Sequence, residues 1–314
     1  MITRDGRKVA LATLVCVLVG WSAWVRGDAD DQFSDWSAPV NLGPGVNTAA
    51  NDGGQVVSKD GLSLYFVSNR PGSLGAGDLW VSQRAHVTDS WGPAQNLGST
   101  INTSSFEQTP ALSPDEHLLF FTSNRPGGSG GFDLYVSRRH NKRDDFGWQA
   151  PVNLGSGVNS AAGEFGPTLV EDDATGAIDL YFASNRPGIG GFDIYRSTLQ
   201  PDETFGPAVL VEELSSAWDD LRPWVRRDAL ELFLDSDRLG TLGGLDVWVS
   251  TRASTADPWS VPINLGSLVN GPADDFRPAL SFQGTALYFS SNRPGGFGNI
   301  DIYVSARDKL KSRD

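Results

Sequence analysis

Cysteine is almost absent from this chain: Cys16 is the only one in 314 residues. Nothing downstream of it can form an internal disulfide or use a thiol for catalysis. Histidine is nearly as scarce. His86, His117 and His140 stand apart, and no His-x-x-His or cysteine pair offers the spacing of a zinc site. A sustained apolar period of 3.6 is missing between residues 30 and 307, so helix is expected only as single turns. No phosphate loop, dinucleotide fingerprint or redox motif is present. Residues 127–131 formally spell G-x-S-x-G, but inside a glycine-rich turn and with no histidine placed to serve the serine. Basic residues are outnumbered 25 to 38 by acidic ones, a net charge of −13. Such a surface repels nucleic acid and anionic membranes, and no nucleic-acid partner is expected.

One long apolar run exists, from Val9 to Val25, preceded by Arg4, Arg7 and Lys8. It reads as a secretory signal, residues 1–27, with an uncleaved membrane anchor as the alternative. Cys16 lacks the small residues of a lipobox before it. The remaining chain is therefore expected outside the cytoplasm, periplasmic or extracellular, anchored only if the leader stays. Residues 28–307 would form one domain, and 308–314 a short polar tail.

What the chain has in abundance is a phrase repeated five times. Ser-Asn-Arg-Pro-Gly, or a close variant, is followed by a glycine-rich turn, Asp, an aliphatic residue and an aromatic. The phrase begins at Ser68, Ser123, Ser184, Ser236 and Ser291. Its arginines, Arg70, Arg125, Arg186, Arg238 and Arg293, fall 55, 61, 52 and 55 residues apart. A repeat of that length is one supersecondary unit that buries its apolar face only by stacking on copies of itself. Within each unit four runs are rich in Val, Ile, Leu, Tyr, Phe and Trp and bounded by Gly, Pro, Asn or Asp, which predicts four strands of about five to eight residues. Four antiparallel strands make a propeller blade. The last unit stops after its third run, at Asp301–Ala306, while an orphan fourth run, DWSAPVNLG, stands at Asp35. The expectation is an all-β, five-bladed propeller whose N-terminal strand completes the last blade and closes the ring, leaving no open sheet edge. A closed ring needs no partner to fold, so a monomer is expected.

These motifs, spanning roughly Phe33 to Arg307, resemble the WD-like β-propeller repeats of TolB and other exported bacterial proteins. Two departures are visible: TolB's N-terminal α/β domain and the peptidoglycan-binding domain that often follows such repeats are both missing. The resemblance implies a propeller fold and export, without a Tol-system role, and says little about ligand.

An acid precedes the first-strand proline by three residues in four units: Glu107, Glu164, Asp220 and Asp275. Asp52 holds the same place in the first unit, where Gln55 replaces proline. The innermost strand lines the central channel, so these acids would ring its mouth. Three fates are open to them: pairing with the repeat arginines, whose planar fork suits a carboxylate; holding a Ca²⁺ on the axis; or serving as free acid and base. The aspartates that open the third strands, Asp78, Asp133, Asp193, Asp246 and Asp301, read as staples for the glycine turns before them. Trp36, Trp91, Trp148 and Trp259, with Phe205 in the remaining copy, read as packing between blades. The link into the fourth unit breaks the pattern. It carries Trp218, Asp219, Asp220, Arg222 and Trp224, an aromatic beside carboxylates that suits a sugar platform. An acidic insertion from Glu171 lengthens the hairpin of the third unit, without EF-hand spacing.

The patterned face, made of the SNRPGG turns and inter-blade links, is the expected functional face. The leading expectation is a non-catalytic exported scaffold that binds a protein, peptide or cell-envelope glycan there. The alternative is a glycoside hydrolase of five-bladed propeller type that uses channel-mouth carboxylates, Asp52, Glu107, Glu164 and Asp220.

Overall fold

A computed structural model describes residues 33–310 except 173 and 174. The leader expected at residues 1–27 lies outside the described residues. Five four-stranded antiparallel sheets form a closed propeller. Blade one comprises Asp52–Val57, Ser63–Ser68, Asp78–Gln83 and Gln95–Asn96. Blade two comprises Glu107–Leu112, Leu118–Ser123, Asp133–Arg138 and Val152–Asn153. Blade three comprises Glu164–Glu171, Ile178–Ser184, Asp193–Thr198 and Val209–Leu210, and blade four Asp220–Val225, Glu231–Ser236, Asp246–Thr251 and Ile263–Asn264. In blade five, Asp275–Leu280, Ala286–Ser291 and Asp301–Ala306 are completed by Val40–Asn41 from the chain's beginning. Val40 pairs with Val304 and Asn41 with Tyr303, so the ring closes across 260 residues of sequence. The only helical turn among the described residues is a 3-10 turn at Glu212–Leu214.

The fourth strands are shorter than their sequence runs suggest, two residues each. Proline ahead of them, such as Pro93 and Pro262, offers no N–H to a ladder. The Asn-Leu-Gly that follows turns at once: Asn96 Oδ1 accepts the Gly98 N–H at 2.8 Å, and Gly98 sits at φ +80°.

Every first strand carries a bulge at one position. The residues there are Gly54, Thr109, Gly166, Arg222 and Arg277, all at positive φ. Glycine enters that region freely, whereas threonine and arginine do not.

Apolar burial lies between blades as well as within them. Trp91 packs between blades five and one, Trp148 between one and two, Phe205 between two and three, Trp259 between three and four, and Trp36 between four and five. On these aromatics the structure adds a partner that the sequence did not single out. Arg84, Arg139, Arg252 and Arg307 lay their guanidinium groups 4.1–4.4 Å from the rings of Trp91, Trp148, Trp259 and Trp36. The Nε of each donates to a carbonyl of the first hairpin of its own blade: Gly61, Glu116, Ala229 and Gly284. In blade three both members change together, to Leu199 and Phe205.

Candidate functional site

The five ring acids are fully buried, and each meets its arginine. Arg70 Nη2 lies 2.6 Å from Asp52, Arg125 3.2 Å from Glu107, Arg186 2.9 Å from Glu164 and Arg293 2.5 Å from Asp275. Arg238 pairs with Asp220 in the same way. Each guanidinium also donates to the carbonyl of the inter-blade link: Val46, Ile101, Val158, Leu214 or Val269. The carboxylates take further donors from the link, such as Thr48 N–H and Oγ–H on Asp52 and Thr103 on Glu107. Carboxylates held this way are buried, charge-paired acceptors rather than free groups poised for proton transfer.

The third-strand aspartates accept two backbone N–H groups each from the preceding turn. Asp78 takes those of Leu74 and Gly75, Asp133 those of Ser129 and Gly130, and Asp193 those of Ile189 and Gly190. Asp246 takes those of Leu242 and Gly243, and Asp301 those of Phe297 and Gly298. With both sets of loops tied down, the patterned face is a fastened rim.

The five residues from Trp218 to Trp224 do not gather at one place. Trp218 is exposed on the patterned face. Asp219 beside it accepts the Phe192 N–H, and burial pushes its carboxyl up from the ordinary value. Asp220 is locked to Arg238. Arg222 reaches into the channel, where Nη1 donates to Asp235 Oδ2 at 2.5 Å. Trp224, half-buried, faces the opposite end.

The channel is pinched at the bulges. Around a cavity of about 20 Å³, roughly the room of a single water, stand Gln55, Thr109, Arg222 and Arg277. Arg277 Nη2 donates to Gln108 Oε1 and its backbone N–H to Asp235 Oδ1, both at 3.0 Å. One buried carboxylate thus takes the Arg222 guanidinium and the Arg277 backbone N–H, and the Nε of each arginine finds no acceptor. Burial raises Asp235 to about 6 against the pull of Arg222. Burial, with repulsion from Arg222, lowers Arg277 to about 9. The axis is therefore cationic, which opposes the Ca²⁺ contemplated there. Among the described residues no three His, Cys, Asp or Glu side chains gather as a metal site.

Beyond the pinch the channel widens into a cavity of about 490 Å³ on the hairpin face. All five blades contribute. Trp224 and the ends of the first strands form the floor, and the hairpins supply Lys59, Asp115, Glu116, His117, Arg227 and Phe282, with Glu171 at the end of its strand. Asp115 accepts Ser113 Oγ–H at 2.6 Å and His117 N–H at 3.1 Å. Partial burial raises its carboxyl, but these bonds outweigh it and leave the group below its ordinary value. Glu116 Oε1 accepts the Lys59 N–H at 2.5 Å. These residues escaped the sequence reading because they sit in the hairpins, which differ from blade to blade; only the acidic lengthening at Glu171 drew notice. The loops of the patterned face are held by internal bonds, and a solvent-facing cavity lies at the other end.

No family profile matches this chain, and no curated protein sequence does. Solved structures do. A glycoside hydrolase aligns at TM-score 0.62 and 8% identity, covering 91% of this chain and 94% of the other. An α-L-arabinofuranosidase from Lactobacillus brevis aligns at 0.59 and 14%, covering 87% and 94%. A GH43_1 enzyme from Xanthomonas citri aligns at 0.55 and 16%, covering 88% and 92%. At such identities the likeness is one of fold. It corrects the resemblance to TolB-type WD-like repeats, because the similar structures are five-bladed propellers of GH43 and GH62 glycoside hydrolases. The short phrase that suggested TolB specifies blade turns and staples, which any propeller can use. The non-catalytic, protein-binding scaffold is corrected with it, since the propellers that this ring resembles are enzymes.

Proposed function

We propose that this chain is a glycoside hydrolase whose glycan enters the hairpin-face cavity. The observation that carries the reading is that cavity: an axial cleft with an aromatic floor and three carboxylates, in a ring whose similar structures hydrolyse glycosides. Its volume lies in the range of ordinary ligand clefts. Hydrolysis of a glycosidic bond needs one carboxylate ionised and one able to give a proton. Asp115, held below its ordinary value by Ser113 and His117, suits the ionised role. Glu171, at a strand end on the adjoining blade and with no side-chain hydrogen bond or ion pair among the described residues, is assigned the donor role. In that division Glu171 protonates the glycosidic oxygen as its bond to the anomeric carbon breaks. Asp115 takes the proton of the water that attacks that carbon. Asp52, Glu107, Glu164 and Asp220 then serve as architecture. Export, proposed from the apolar run at Val9–Val25, would place the enzyme among envelope or extracellular glycans.

The test is a hydrolysis screen of the full chain on aryl glycosides and plant and envelope polysaccharides, followed by Glu171→Gln and Asp115→Asn. Loss of about 10²-fold or more in kcat with each variant is expected. Absence of any hydrolysis, or activity untouched in both variants, defeats the reading.

A further inference from the structure

Three cations at the cavity stand without an opposite charge. Lys59, Lys142 and Arg227 line it, and none forms an ion pair among the described residues. In a chain of net charge −13 this is not the background. Arg226, next to Arg227, shows the ordinary fate of an arginine here, with Glu231 at 2.7 Å and Asp228 at 2.8 Å. Two of the three unpaired cations are also positioned. Lys59 Nζ lies 4.4 Å from the centre of the Phe282 ring, and the Arg227 guanidinium 5.1 Å from it. Blades one, four and five thus bring two like charges onto one aromatic, an arrangement whose repulsion is relieved when an anion lies between them.

Beneath the cavity floor the same sign continues. Arg222 and Arg277 stack on the Phe276 ring; the Arg222 guanidinium and the Arg277 backbone N–H meet Asp235, the Arg277 guanidinium meets Gln108, and two buried Nε–H groups are left without an acceptor. Burying an unpaired donor is unfavourable, so such groups persist where something uses them or where the fold holds them there. The acids facing these cations are Asp115, Glu116 and Glu171. Of these, Glu116 is engaged by the Lys59 backbone N–H and Asp115 by Ser113 and His117.

We infer that the cavity takes an acidic glycan, one bearing carboxylates in the manner of a uronate oligosaccharide, with Lys59 and Arg227 on the sugar carboxylate at the rim. The inference rests on the glycoside hydrolase reading and narrows its substrate class. A carboxylate offers both cations a charge-assisted bond, and the sugar's apolar face meets Phe282 and Trp224.

Calorimetric titration of the full chain with trigalacturonate and with neutral xylotriose tests this. Trigalacturonate should bind at least about tenfold more tightly, and Lys59→Gln/Arg227→Gln should lower its affinity by about tenfold or more while leaving xylotriose unchanged. Both side chains are exposed, so the double variant should fold, and its unchanged melting temperature checks this. Equal affinity for the two trisaccharides, or trigalacturonate binding that survives the double substitution, overturns the acidic specificity while the hydrolase reading stands. Failure of both to bind overturns the inference too, and the hydrolysis screen then decides the broader reading on its own.

Discussion

Arg222 reaches Asp235 at 2.5 Å from a left-handed backbone, φ +46°, immediately ahead of Pro223. Non-glycine residues pay for that conformation, and a following proline disfavours helical backbone before it. The same bulge is occupied by glycine in blades one and three, at Gly54 and Gly166. Blades two, four and five place Thr109, Arg222 and Arg277 there instead. Strain kept at three of five equivalent positions, each projecting into the channel neck, marks the neck as a place where side-chain chemistry outweighs backbone comfort.

Asp235 should make stability fall as pH rises. Its folded-state value of about 6 lies above the unfolded value near 4. Between those pH values the unfolded chain releases the proton while the folded protein keeps it, so ionisation favours unfolding. Asp235→Asn cannot ionise. Relative to wild type, the variant should gain on the order of 2–3 kcal/mol on passing from pH 4 to above pH 6. Urea denaturation across that range measures the difference, and a pH-independent offset would show that the burial effect is absent.

Arg125→Ala should cost about 2–4 kcal/mol, because it leaves the buried Glu107 carboxylate without its cation. Adding Glu107→Gln should recover part of the loss. A cost below about 0.5 kcal/mol would identify the arginine as a solvated group.

The Arg252–Trp259 stack should be transplantable for the pair that blade three uses. Arg252→Leu and Trp259→Phe, alone and together, form a double-mutant cycle at a contact of 4.2 Å. A coupling of about 0.5–2 kcal/mol is expected, with the double variant more stable than the sum of the singles implies. Strict additivity would reduce the covariation of Leu199 with Phe205 to coincidence.

Two glycines should fail for different reasons. Gly98 has φ +80° and open space around it, so alanine there should cost about 1 kcal/mol, all of it from the backbone conformation. Gly75 would place a Cβ 1.9 Å from the Ser105 carbonyl oxygen, and the blade junction must move to admit it. Gly75→Ala should therefore cost more, roughly 2 kcal/mol or above. Thermal melts that rank them the other way would contradict the close approach at the junction.

Trp218 and Trp224 lie toward opposite ends of the channel, and only Trp224 lines the large cavity. Trp218→Ala should leave hydrolysis and oligosaccharide affinity unchanged, whereas Trp224→Leu should weaken affinity by several-fold or more. A glycan lost with Trp218 would return the site to the patterned face.

The repeat by itself determined the architecture. A phrase recurring at near-constant spacing, four strand-like runs per copy and an orphan run at the start leave one way to bury every apolar face, a closed ring of five blades. The identities of the ring acids and repeat arginines were equally legible, because a contact made five times writes itself five times into the chain. What only the tertiary structure decided is where the open space lies. Residues around the cavity come from five hairpins far apart in sequence and differing from blade to blade, so no period announces Lys59, Asp115, Glu171, Arg227 or Phe282 as neighbours. The arginine–tryptophan stacks were hidden for another reason: each joins the end of a third strand to the link after it, at an interval that varies from Arg84 and Trp91 to Arg139 and Trp148. The patterned face drew attention because it repeats, and it repeats because it holds the blades together. The hairpin face, free of that duty, could diverge, and the cleft lies there.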